Sequence, residues 1–70
     1  MKYVTVELQT MQDGTVANIT TCHDTRAKAE SAYHTVLAAA AQSGLPAHAC
    51  VLLDSDGNWL AGQCYGTDES

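Results

Sequence analysis

Seventy residues make a single domain, and an apolar share of 46% that contains no Phe and much Ala fills a thin core rather than a thick one. Eight acidic residues against three basic ones give a net charge of −5. Lys2, Arg26 and Lys28 are too few to grip phosphates, which excludes charge-driven nucleic-acid binding.

Residues Tyr3 to Gln9 alternate, with Val4, Val6 and Leu8 on one side and Tyr3, Thr5, Glu7 and Gln9 on the other, the pattern of a half-buried strand. Asp13-Gly14 is the favoured pair of a two-residue type I′ hairpin, which needs positive φ at both residues. The second strand then runs from Thr15 to about His23. Such a turn sets Leu8 opposite Ile19 and Val6 opposite Thr21, so the apolar faces coincide.

Asp24 or Thr25 is the expected helix N-cap, and strong helix formers continue to about Ser43. Ala29, Tyr33, Val36, Leu37 and Ala40 fall on one face, with Ser31, Thr35, Ala38 and Gln42 opposite. Gly44 stops the helix and Pro46 prevents its restart. A third strand is expected from about Ala47 to Leu53 and a fourth from Asn58 to Tyr65, joined by a second two-residue turn at Asp56-Gly57. That turn places Leu53 opposite Leu60, Val51 opposite Gly62 and Ala49 opposite Cys64.

The expected fold is therefore α+β: ββαββ, a four-stranded antiparallel sheet with one helix on one face, spanning 1–70 with a frayed tail from 66 to 70. Strand order does not follow from the pattern. One helix covers one face only, and the register puts Tyr3, Leu52, Trp59 and Tyr65 on the other, among Glu7, Gln9, Asn18, Val16 and Gln63. Aromatic anchors amid polar neighbours have the composition of an interface, so Tyr3, Leu52, Trp59 and Tyr65 are the expected contact residues. The alternative is aromatics lying flat on the surface, which is ordinary.

No catalytic, metal or cofactor site stands out. Cys22-His23-Asp24 has the residue types of a nucleophilic triad, but neighbours on a strand point to opposite faces. Three cysteines and three histidines lack the close spacing of a zinc site, and an odd cysteine count without a disulfide framework suits free thiols in a reducing cytoplasm. Asp54-Ser55-Asp56-Gly57 lacks the glycine position and closing Glu of an EF-hand loop. Glu30 and His34 can pair at i,i+4 beside Tyr33, a polar border before it is an acid–base site. The longest apolar run, Val36 to Ala41, is too short to span a bilayer, and no apolar leader precedes the first strand, so a cytoplasmic location is expected.

The stretch Ala29-Glu30-Ser31-Ala32-Tyr33-His34, then Val36 to Ala41, His48-Ala49, Val51-Leu52-Leu53 and Cys64-Tyr65, resembles a family of small uncharacterised proteins of phages and prophages of Firmicutes, common in gut bacteria. The likeness extends to Glu7-Leu8-Gln9-Thr10 and Asp13-Gly14-Thr15-Val16. Where that family has Tyr near the helix start this chain has Cys22-His23, so no role is carried to those positions. The resemblance implies a phage origin and no mechanism. The expected function is a non-enzymatic accessory protein that self-associates, as a homodimer first, or binds a host or phage protein. The rival readings are an acidic decoy for a nucleic-acid-binding protein, which needs Glu7, Asp13, Glu30, Asp54 and Asp56 gathered on one surface, and a small thiol or acid–base enzyme, which needs a concave site.

Overall fold

A computed structural model describes residues 1–66, and the expectation of a frayed tail otherwise falls on 67–70, outside the described residues. The chain forms β1 (Tyr3–Thr10), β2 (Val16–His23), α1 (Arg26–Ala40), β3 (Ala47–Asp54) and β4 (Trp59–Tyr65). The strands make one antiparallel sheet in the order β2-β1-β3-β4, so the chain has the ββαββ, α+β fold. Because β1 is antiparallel to both of its neighbours, β2 and β3 run in the same direction, and α1 joins them by crossing over β1.

The helix begins at Thr25, an extended residue (φ −130°) whose Oγ1 accepts a hydrogen bond from the Lys28 amide at 3.2 Å. It ends three residues earlier than its composition suggests: the Gln42 and Ser43 amides reach back only to the Ala39 and Ala40 carbonyls, and Gly44 turns the chain at φ +70°. Ala29, Tyr33 and Ala40 are buried against the sheet with Val36 and Leu37 half-buried beside them, while Ser31, Thr35, Ala38 and Gln42 are exposed.

Both hairpin turns differ from the two-residue form. The Met11 amide donates to the Thr15 carbonyl (2.8 Å) and the Gly14 amide to the Met11 carbonyl (3.0 Å), closing a three-residue loop with Gly14 alone at positive φ (+89°). Asp54, Asn58 and Gly57 repeat this arrangement, again with φ +89° only at the glycine. The aspartates explain the difference. Asp13 Oδ1 accepts from the Thr15 amide (3.0 Å) and hydroxyl (2.7 Å), an Asx arrangement that Asp13 makes at negative φ, so the left-handed step passes to Gly14. In the second turn Asp54 Oδ1 accepts from the Asp56 and Asn58 amides, both at 2.9 Å. No atom lies within 4 Å of a Cβ placed on Gly57, so Gly57→Ala should cost only the left-handed backbone term, about 1–2 kcal/mol in urea unfolding.

One extra loop residue moves the register by one. Leu8 pairs with Asn18, Val6 with Thr20 and Glu7 with Ile19, not Leu8 with Ile19 or Val6 with Thr21. In the second hairpin an irregularity at Leu52/Leu53 restores the count. Val51 faces Gly62 and Ala49 faces Cys64 as expected, but Leu53 pairs with Trp59 instead of Leu60.

On β1 and β3 the face under the helix is also the opposite of the expected one, while Val16 and Asn18 of β2 lie on the open face as expected. Alternation from the buried residues Thr5, His48, Cys50, Leu52 and Asp54 puts Tyr3, Thr5, Glu7 and Gln9 beneath α1, and turns Val4, Val6, Leu8, Val51 and Leu53 away from it. Leu52, expected at an interface, is 1% exposed in the core with Ala29, Tyr33 and Cys50. Tyr3 packs against the same cluster, and Tyr65 pairs with His48 on the helix side. Of the four expected contact residues only Trp59, thrown across by the bulge, lies on the open face, and it is 65% exposed. The alternation pattern alone does not fix which face the helix takes, because α1 joins the parallel strands β2 and β3 by a crossover whose side of the sheet is a matter of chain connection and not of strand polarity.

Candidate functional site

Two arrangements bring chemistry-bearing or contact-forming residues together. The first lies beneath the helix. Pairing of β1 with β3 sets Gln9 opposite His48 and Glu7 opposite Cys50. His48 Nε2 meets Glu7 Oε2 at 2.6 Å, and Gln9 Nε2 donates to the same oxygen at 2.8 Å. The Gln9 amide and the His48 ring hold the Glu7 carboxyl below its ordinary range against the opposing effect of burial. His48 is buried, and its Nδ1 has no hydrogen-bond partner among the described residues. Burial, with the nearby Glu7 carboxylate, pushes the Cys50 thiol up, and burial raises the Tyr33 phenol too.

A fully buried thiol kept protonated is the reverse of an activated nucleophile. The row instead pairs His48 Nε2 and the Gln9 amide with one Glu7 oxygen beneath the helix. Among the described residues no group of three His, Cys, Asp or Glu is placed to hold a metal ion. Glu7 and His48 are 41 residues apart, so only the β1–β3 pairing reveals them as partners.

The lowered Glu7 carboxyl makes stability depend on pH. A carboxyl whose folded value lies below its unfolded one stabilises the fold above the ordinary carboxylate range, and that contribution is lost as pH falls through the lowered folded value. Asp54, lowered by the Asn58 side chain, adds in the same direction. Urea midpoints should therefore fall from mild to strong acid, and Glu7→Gln should flatten part of that slope; an unchanged slope would remove Glu7 from the account.

The remaining sequence candidates are dispersed. Cys22 is exposed and free, His23 Nε2 lies 3.1 Å from Thr5 Oγ1, and Asp24 pairs with Lys2. Glu30 pairs with Arg26 at 2.8 Å rather than with His34, whose ring stands edge-on to Tyr33 at 5.3 Å. Asp13 sits in the β1–β2 turn and Asp56 in the β3–β4 turn, at opposite ends of the sheet, and Glu7 is engaged beneath the helix, so these acids do not gather on one surface.

The second arrangement is the open face of the sheet. Its centre is Val4, Val6 and Leu8 of β1 beside Ala49, Val51 and Leu53 of β3. Val16, Asn18, Thr20 and Cys22 flank it on β2, and Trp59, Gly62 and Cys64 on β4. No strand residue on this face is charged, in a chain of net charge −5. A Cβ on Gly62 would stand 2.9 Å from the Trp59 indole nitrogen, so the indole lies down over Gly62 and broadens the face instead of standing away from it. The sheet is thus more apolar on its open side than under its helix, the reverse of a monomeric antiparallel sheet with one solvated face.

No family model, curated protein or solved structure matches the chain. Among the described residues no helix is long and apolar enough to cross a membrane.

Proposed function

We propose that the protein is non-enzymatic and acts by self-association, two copies packing the open faces of their sheets together. The observation that carries this reading is the uncharged Val, Leu and Ala centre of that face, left uncovered while buried His48 and half-buried Glu7 and Gln9 lie on the other side. Charge selects the occupant. A basic partner needs acids on the face it meets, and the strands place none there; a second copy of an acidic chain needs the face free of charge, and it is. Face-to-face packing would give the thin domain a second core layer. A role as a phage or prophage accessory protein goes with this reading through the sequence resemblance alone.

Trp59, the sole tryptophan, reports on the contact directly. Its indole is 65% exposed in a single chain, so dilution should shift its emission to the red and open it to iodide quenching. Emission and quenching that stay those of an exposed indole from high to low concentration would overturn the proposal.

A further inference from the structure

We infer that β2 is a second self-association site, pairing antiparallel with β2 of another copy to join two sheets into one. The strand is outermost in the sheet, so one of its edges carries backbone groups that pair with no other strand among the described residues. It is also uncovered on both faces: every residue from Val16 to Cys22 is exposed, including Ile19 at 52% on the helix side. Exposed edge strands are ordinarily protected by a Lys, a Pro, a bulge or a short length. Val-Ala-Asn-Ile-Thr-Thr-Cys-His has eight residues, no charge, no Pro and no Gly, and pairs with β1 in unbroken register. The other edge, β4, does carry such protection, through its register shift opposite Leu52/Leu53.

Two arguments make a second copy the occupant. The first is charge: Val16–His23 carries no Asp, Glu, Lys or Arg, so a like-charged copy meets no repulsion along the pairing edge, and the strand has no acid with which to select a basic peptide. The second is area, and it rests on the open-face reading. Four strands of seven or eight residues span a footprint of roughly 500 Å² at the usual strand spacing and rise, short of the ~800 Å² a stable interface takes from each partner. Joining two sheets at β2 doubles the uncharged face, with Asn18 and Thr20 along the join, and two such pairs stacked face to face close as a tetramer with two kinds of two-fold contact.

The test uses four proteins, each checked for folding by circular dichroism: the natural chain, Ile19→Lys at the edge, Leu53→Asp on the open face, and the double variant. Ile19 is already half in solvent, so the edge substitution should leave the fold intact while setting two ammonium groups against each other across the pairing. Light scattering should give a tetramer of about 30 kDa from the 7.4 kDa chain, a mass between one chain and roughly 15 kDa for each single variant, and a monomer for the double. In the natural assembly the outward amides of Val16–His23 should exchange as slowly as the inward ones. An Ile19→Lys protein of unchanged mass, or fast exchange at alternate β2 amides, would overturn the edge pairing, including in favour of a strand from a different protein. A mass that responds to Ile19→Lys but not to Leu53→Asp would keep the edge and overturn the open-face contact.

Discussion

Leu52→Ala is expected to cost about 2–5 kcal/mol of folding stability, the range for truncating a buried leucine. Leu52 is 1% exposed and packs with Ala29, Tyr33 and Cys50, so little around it can close the resulting cavity. A domain this small has only a few kcal/mol to lose, and the variant should be largely unfolded at ordinary temperature. Because the site faces the helix, the loss should appear at any protein concentration in urea unfolding. A loss under about 0.5 kcal/mol, the size of a surface change, would contradict the burial of Leu52.

Leu53, one residue on, should behave in the opposite way. It lies on the open face opposite Val4 and Trp59, half-buried in a single chain. Leu53→Asp keeps the carboxylate in water while the chain is alone, so the fold should survive. In the stacked pair the same carboxylate would be buried without a partner, at a cost of several kcal/mol. The face contact should weaken by at least about 100-fold, since each ~1.4 kcal/mol is a factor of ten. A folded Leu53→Asp protein with undiminished mass would place the contact elsewhere.

The contrast between these adjacent residues marks where sequence reasoning succeeded and where it failed. The element order, a cap at Asp24 or Thr25 and the helix face containing Ala29, Tyr33 and Leu37 follow from local patterns, because capping and the 3.6-residue period are local physics. The faces do not. An Asp-Gly pair fits both two- and three-residue turns, and the choice goes with hydrogen bonds accepted by Asp13 and Asp54 that no pairwise turn preference contains. A single-residue difference in the loop reverses which side chains oppose one another. Trp59 was identified as an open-face residue on a register that the bulge then altered, so its position agrees for a reason the pattern did not supply. The assumption that the helix covers the more apolar side failed for Val4, Val6 and Leu8. Within one chain the helix instead lies over Thr5, Cys50 and Leu52. The Glu7–His48 pair required strand order, which the alternation does not encode.

The inverted faces are also what the proposed self-association rests on. Glu7 and His48 pair through Oε2 and Nε2 on the side beneath the helix, while the valines and leucines on the other side have no layer of their own within one chain. The most direct test of that claim is the mass of the unmodified chain in solution, measured by light scattering from low to high micromolar concentration. Self-association predicts a mass above the 7.4 kDa of one chain that falls toward it on dilution. A mass of one chain throughout, with the open face bare in water, would contradict it.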